Sequence, residues 1–177
     1  MMRAHLLLVP AAMVAAAVPQ VCAADQLQAL DAGLQRLARG QAIKPLQFTL
    51  NAAQFERIKS EYDVPALRPT VRAWHAAGSD TWIFLDQVYG LNDIVTYLVA
   101  VDASGKVSGL EVLTCAEGYC DLYTNEWRAH FTGVSHGKWQ PAEVVPIVSG
   151  ATLSSTHVAE GVKKILAIHA RFLPPAP

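Results

Sequence analysis

The chain has 177 residues, enough for one domain with its own hydrophobic core. Its formal net charge is −1 and it contains no long basic run, which excludes nucleic-acid binding driven by charge. It has no Cys-x-x-Cys-His motif for haem attachment, and no histidine stands at zinc-ligand spacing from its cysteines. We therefore predict no metal site.

Residues 1–24 have the composition of a secretory signal peptide. A short basic region around Arg3 precedes an apolar core at residues 6–18, and small residues allow cleavage after Ala23 or Ala24. The apolar run is shorter than the about 20 residues that a membrane span needs. We expect a periplasmic or otherwise extracytoplasmic protein. An uncleaved N-terminal membrane anchor, and with it membrane association, is the alternative.

Residues 25–69 are predicted to form an N-terminal helical segment and a linker. Leucines spaced three and four apart predict a helix over residues 25–40, which could pack on the domain or on a partner. An extended stretch follows at residues 44–50. Asn51, with Gln54 three residues later, then forms a capping pair for a second helix.

From residue 70 the pattern changes to short strands rich in β-branched and aromatic residues. Strands are predicted over residues 70–75, 81–89, 94–102 and 107–114, with turns rich in Gly, Ser and Asp between them. A run of hairpins closed by a C-terminal helix indicates an α+β fold with an antiparallel sheet. We predict one domain over residues 70–173 and a disordered tail at residues 174–177.

The stretch Ser149-Gly150-Ala151-Thr152-Leu153-Ser154-Ser155 stands between an extended apolar run at residues 144–148 and the predicted C-terminal helix. Gly150 can take a positive φ and Ala151 has little bulk, so a ligand can approach the backbone closely. The N–H groups and the dipole of the first helical turn favour an anion such as phosphate. An ordinary helix cap rich in Ser and Thr is the alternative interpretation.

Ser149-Gly150-Ala151-Thr152 resembles the attachment motif of the FMN-binding domain family. That family includes the covalently flavinylated subunits of the sodium-pumping NADH:quinone reductase and of the Rnf complex. In these proteins the last Thr of the motif carries FMN through a phosphoester bond, and Thr152 stands at that position. Residues 93–113, with an Asp-x-x-Gly turn, and residues 127–133 are also similar to the family, and the likeness covers about residues 70–170.

The resemblance implies that FMN is the cofactor and that the protein is an electron carrier rather than a stand-alone oxidoreductase. The implied FMN-binding residues are Ser149, Gly150, Ala151, Thr152, Leu153, Ser154, Ser155 and, in a loop that resembles the family's flavin-side loop, Glu117. A flavin transferase would attach the FMN, and membrane or periplasmic redox proteins would exchange electrons with it.

One position differs from the family pattern. The flavinylation signal usually has Asp three residues before the Ser of the motif, and here that residue is Pro146. Non-covalent FMN is therefore an alternative to the phosphoester. A non-redox extracytoplasmic binding or sensing module of the same fold, without flavin, is the alternative function, and a flavin reductase with a small substrate is a third.

The remaining candidates are two cysteines and several rings. In an oxidising compartment Cys115 and Cys120 are expected to form a disulfide, with a redox-active pair as the alternative. Several aromatic and histidine side chains could contact a flavin or relay protons, although most such residues are structural. They are Trp74, Trp82, Trp127 and Trp139, and His130, His136 and His157, of which His157 would lie near the phosphate.

Overall fold

The computed structural model describes residues 23–61, 68–91, 93–115, 124–137 and 139–173. The helices are α1 (Ala23–Leu37), α2 (Ala52–Glu61), α3 (Asn125–Ala129), α4 (Pro141–Val144) and α5 (Thr152–Phe172), and the strands are β1 (Lys44–Thr49), β2 (Thr70–Ala76), β3 (Thr81–Tyr89), β4 (Ile94–Val101) and β5 (Val107–Thr114). The predicted α+β fold with an antiparallel sheet is confirmed. The predicted signal peptide lies almost entirely outside the described residues, as do the tail at 174–177 and most of the linker.

The sheet has five strands in the order β1-β2-β3-β4-β5, and each neighbouring pair is antiparallel. The predicted Asp-x-x-Gly turn joins β4 to β5. The Asp102 carboxylate accepts hydrogen bonds from the backbone N–H groups of Ser104 and Lys106 and from the Ser104 hydroxyl, and Gly105 takes φ +76°. These bonds to the charged form, led by that from the Ser104 hydroxyl, lower the pKa of Asp102.

Helices cover both faces of the sheet. Adjacent residues of a strand point to opposite faces, so buried Phe84 belongs to the cluster that contains the apolar side of α5, while buried Ile83 belongs to the cluster under α1. The leucine stripe of the first helix therefore packs on the domain, through Leu34 and its neighbours. Leu27 is the exception and stays 63% exposed.

The apolar run at residues 144–148 is not a strand of the sheet, although Val145 within it is extended, with φ −126° and ψ 140°. Val144 is the last residue of α4. This helix forms because Gln140 and Glu143 make a capping box at its start and Pro141 occupies its first turn. Pro146 has no N–H group for a sheet ladder. No described strand pairs with this stretch, which is held instead by its buried valines, Val145 and Val148.

Candidate functional site

Three chain segments meet at one end of the sheet. β3 and β5 both pair antiparallel with β4, so they run in the same direction and end on the same side, at Tyr89 and Thr114. His157 Nδ1 lies 2.6 Å from the carbonyl oxygen of Tyr89, which brings the start of α5 to this end as well. Since a carbonyl only accepts, Nδ1 carries the proton. Glu117, which follows β5 closely in sequence, lies outside the described residues.

The loop before α5 is attached to the core at every third residue. Val145, Val148 and Ala151 are buried, whereas the residues between them are exposed. Gly150 takes φ +84°, a left-handed conformation that glycine adopts without strain. The Ala151 N–H donates to the Val148 carbonyl oxygen at 3.0 Å and closes the turn. The core therefore holds the backbone of this loop in place, and the residues between the three buried ones are exposed to solvent.

Thr152 is the first residue of α5, and its side chain is exposed. The N-cap is Ala151, which has no side-chain oxygen to cap the first-turn N–H groups. Thr152 Oγ1 donates to the Val148 carbonyl oxygen at 3.4 Å, a weak contact for a hydroxyl. A phosphate on this oxygen would lie at an uncapped helix N-terminus, so the residues present fit a phosphate group.

The two serines that follow Leu153 face the interior. Ser154 is 0% exposed and Ser155 is 1% exposed. Ser155 Oγ donates to the Thr152 carbonyl oxygen at 3.0 Å and accepts from the Val148 N–H at 3.5 Å, so it braces the loop from inside. Among the members of the predicted binding set that the structure describes, Ser149, Gly150, Thr152 and Leu153 are exposed.

Trp127 holds the loop at Pro146, the position that departs from the family pattern. Its indole Nε1–H donates to the Pro146 carbonyl oxygen at 3.1 Å, and its buried ring packs edge-on against Phe131 with 5.0 Å between centroids. The sequence gives no local sign of this bond, because the partners are 19 residues apart. Trp127 is thus a core residue that positions the loop.

The other predicted rings also have protein neighbours. Trp82 is buried against the ring of His75, and Trp74 packs in the cluster under α1. Trp139 lies beside the Lys163 ammonium group, 5.7 Å from its ring centre. Burial, together with the charge of Arg171, lowers the pKa of His136, and His130 is exposed.

The predicted disulfide is only half described. Cys115 follows β5 directly and packs partly buried against the core, whereas Cys120 lies outside the described residues. The Cys115–Cys120 pairing therefore stays a prediction. Within the described ranges no three His, Cys, Asp or Glu side chains are grouped to bind a metal ion. None of the described helices combines the length and apolar character needed to cross a bilayer.

These features define an α+β domain with an exposed loop at the N-terminus of its last helix. Residues 90–167 match the FMN-binding domain family, so the resemblance drawn from the sequence motif is confirmed. The match runs from the β3–β4 turn into α5 and contains the whole Ser149–Ser155 loop. FMN is the cofactor that this family implies.

A solved structure supports the same fold. The crystal structure of NqrC from Shewanella oneidensis superposes with a TM-score of 0.53 and 17% sequence identity, covering 80% of this chain and 92% of that chain. At this identity the likeness concerns the fold alone. No curated protein matches the chain in sequence.

Proposed function

We propose that this protein is an exported electron-transfer module that carries FMN attached to Thr152 through a phosphoester. The observation that supports this best is the exposed Thr152 at the N-terminus of α5, where the N-cap Ala151 makes no side-chain cap bond and left-handed Gly150 stands two residues before Thr152. An attached phosphate needs a reachable hydroxyl, a close backbone and a favourable dipole, and this site offers all three.

The chain's own residues would bind and position the cofactor, while FMN when bound supplies the electron-accepting chemistry. Thr152 fixes the phosphate, Gly150 lets the backbone approach it, and the first-turn N–H groups stabilise its charge. The buried residues Val148 and Ala151 keep this arrangement rigid. The module would then pass electrons between membrane and periplasmic redox proteins.

Attachment needs an activated donor, because a phosphoester does not form from FMN and an alcohol in water. We propose a flavin dinucleotide as donor and a flavin transferase as the enzyme. The Thr152 hydroxyl loses its proton as its oxygen bonds to the flavin-side phosphorus. The phosphoanhydride bond breaks, and the nucleoside monophosphate leaves. No electrons are exchanged in this step.

Export and the disulfide belong to the same proposal. The flavin transferase would act after export, on a chain that starts at Ala24 or Asp25. An intact mass of the exported protein checks the start directly. The mass after alkylation, compared with and without prior reduction, shows whether Cys115 and Cys120 are paired. A full-length chain or two free thiols would contradict this part of the proposal.

The central test is the same intact mass with and without a co-expressed flavin transferase. We expect the mass to rise by one FMN less one water, on the peptide that contains Thr152. Thr152→Ala should remove this gain, and the weak Oγ1 contact means that the variant should still fold. Thr156→Ala, one helical turn further on, is the matched control and should be labelled normally. Labelling of Thr152→Ala at the wild-type level would refute the proposal.

A flavin-free binding or sensing module is the second candidate, and Pro146 is the observation that favours it. If the transferase needs the acidic residue that is absent here, the chain should stay unlabelled and colourless. Yellow protein without a mass gain would instead indicate FMN held non-covalently at the same helix end.

A further inference from the structure

Helix α1 covers only part of the sheet face on which it lies. It packs against β5 and β4, at one side of that face. Leu34 is 4% exposed in this contact, whereas Leu27, on the same side of the helix two turns earlier, is 63% exposed. The sheet therefore does not fill the space beneath the first turns of α1.

This space is a groove of about 390 Å³, which we call the α1 groove. Its polar floor includes Gln87 and Thr96, which lie opposite each other on β3 and β4. Gln87 Nε2 donates to Thr96 Oγ1 at 3.1 Å. Small-molecule sites in proteins have volumes of about 300–1,000 Å³, so the groove is large enough for a ligand. Four leucines supply its apolar lining, namely Leu27, Leu30, Leu85 and Leu113.

Arg72 gives one side of the groove a positive charge. It lies on β2 and so forms the side opposite α1, and its guanidinium carbon is 5.8 Å from the centre of the Trp74 ring. Within the described part of the chain neither Arg72 nor Arg68 forms an ion pair. An arginine at the edge of an apolar groove is suited to an anion that carries an apolar group.

The nearby carboxylate does not cancel this charge. Arg68 and Arg72 both line a smaller cavity next to the α1 groove, and Asp86 faces the same cavity. The Asp86 carboxylate already accepts a hydrogen bond from Lys164 Nζ at 2.8 Å, so a buried cation matches its charge. The two arginines therefore leave a net positive charge on this side of the groove.

We propose that the α1 groove binds a single-chain amphiphile with a carboxylate head, of the kind represented by a free fatty acid. The four leucines bury the aliphatic chain, and Arg72 binds the head with the paired hydrogen bonds that a guanidinium offers to a carboxylate. Neighbouring strands lie about 4.8 Å apart, so β2 and β5 are separated by about 14 Å. This distance suits an aliphatic chain of medium length with its head at Arg72.

The inference goes beyond the proposed function and does not depend on it. α5, which carries Thr152, packs on the opposite face of the sheet from α1. The groove contains no residue of the Ser149–Ser155 loop. Thr152→Ala should therefore bind the amphiphile as tightly as the wild type, so a failure of FMN attachment would leave this inference standing.

The test is a calorimetric titration of the full exported chain with monomeric decanoate. We expect one molecule to bind per chain. Decanol and decyltrimethylammonium have the same chain with a neutral and a cationic head, and they should bind at least roughly tenfold more weakly, as for loss of a charge-assisted hydrogen bond. Acetate, which has the head without the chain, should not bind at the same concentrations.

Two substitutions at exposed positions separate the head from the chain. Arg72→Gln should raise the Kd for decanoate roughly tenfold and leave that for decanol unchanged. Leu27→Ser should raise the Kd for both ligands, because it removes apolar contact with the chain. Arg39→Gln, at an exposed arginine just after α1, is the matched control and should bind decanoate like the wild type.

Three outcomes would overturn the inference. The first is no binding of decanoate by the wild type. The second is equal affinity for decanoate and decanol, because the carboxylate would then have no role. The third is binding to vesicles of phosphatidylglycerol without binding to monomeric decanoate, because the surface would then contact a membrane and not hold a single molecule.

Discussion

The hydroxyl of Tyr97 occupies the place that a side chain at Gly161 would need. A Cβ added to Gly161 would lie 1.9 Å from Tyr97 Oη. Tyr97 Oη donates to Asp86 Oδ2 at 2.5 Å, and Lys164 Nζ donates to Asp86 Oδ1 at 2.8 Å. Strands β3 and β4 are thereby joined to α5 through buried polar groups. This contact sets the distance of α5 from the sheet, and with it the position of Thr152.

Gly161→Ala should destabilise the fold, because the added methyl group overlaps Tyr97 Oη. Overpacking of a rigid core lowers the free energy of unfolding by about 1–3 kcal/mol, and urea unfolding measures it. Ala167→Gly on the same helix is a contrasting change, since it removes a buried methyl group instead of adding one.

A double variant tests the stated cause. Tyr97→Phe deletes the overlapping oxygen, so Gly161→Ala should be less harmful in that background, although the ring carbon Cζ remains 3.1 Å from the added Cβ. The coupling free energy of the cycle should then be favourable. Strict additivity of the two changes would show that the clash is relieved elsewhere.

Asp86→Asn should be strongly destabilising because it leaves the Lys164 charge in the core. The Lys164 side chain is 3% exposed and that of Asp86 is 16% exposed. Removing one partner of a buried ion pair lowers the free energy of unfolding by about 3–5 kcal/mol. Burial, reinforced by Asp86, raises the pKa of Tyr97 well above its usual value, so the tyrosine remains a hydrogen-bond donor.

The matched variants are Lys164→Met alone and combined with Asp86→Asn. If the buried charge is the cause, adding Lys164→Met to Asp86→Asn should recover part of the loss. Lys106→Met at an exposed site controls for the change of residue type. A double variant as unstable as the sum of the two single variants would argue against coupling between the pair.

Local patterns predicted most of the sheet correctly. The predicted strands at 81–89 and 107–114 coincide with β3 and β5, because β-branched and aromatic runs end there at strong turn residues. The Asn51–Gln54 capping pair forms with both reciprocal bonds at 2.9 Å. Local chemistry also predicts a helix after the Ser149–Ser155 stretch, but α5 already begins within that stretch, at Thr152.

Features that depend on distant residues could not be predicted in this way. Asp86 and Lys164 are 78 positions apart, and each alone has the sequence character of an ordinary surface charge. Residues 144–148 have the composition of a strand. They do not form one, because the α4 capping box draws Val144 into a helix and no described strand lies beside the rest. The exposure of Ile147 has the same origin, because only the packed fold determines which of these apolar residues faces outward.

Stability should fall as the pH is lowered from neutral towards 5, and His169 should contribute to that fall. The half-buried ring of His169 packs edge-on against Phe84, and burial lowers its pKa. A histidine in the unfolded chain has a pKa of about 6.5, so between this pKa and the lower folded pKa the unfolded chain binds more protons at His169 than the folded chain does. The stabilisation is complete above the unfolded pKa and is lost as the pH falls through the folded pKa.

Urea unfolding between pH 5 and 8 measures this dependence. His169→Gln should flatten the slope in part, since His136 has a lowered pKa as well and acts in the same direction. His130→Gln, at an exposed site, should keep the wild-type profile. A wild-type profile for His169→Gln would assign the pH dependence to other groups.

Trp127→Phe should separate the positioning of the loop from its stability. The substitution keeps an aromatic ring against Phe131 but deletes the Nε1–H that binds the Pro146 carbonyl oxygen. Loss of one such bond should lower the free energy of unfolding by about 1–2 kcal/mol. If Thr152 accepts FMN, transfer should also slow, because the loop that presents Thr152 loses its attachment at Pro146.

Phe131→Leu is the matched control for Trp127→Phe. It loosens the same ring contact and should destabilise the fold by a comparable amount, but it leaves the indole bond in place. Equal transfer rates in the two variants would mean that the Trp127–Pro146 bond contributes to folding alone, whereas a loss confined to Trp127→Phe would identify Trp127 as a positioning residue for the attachment site.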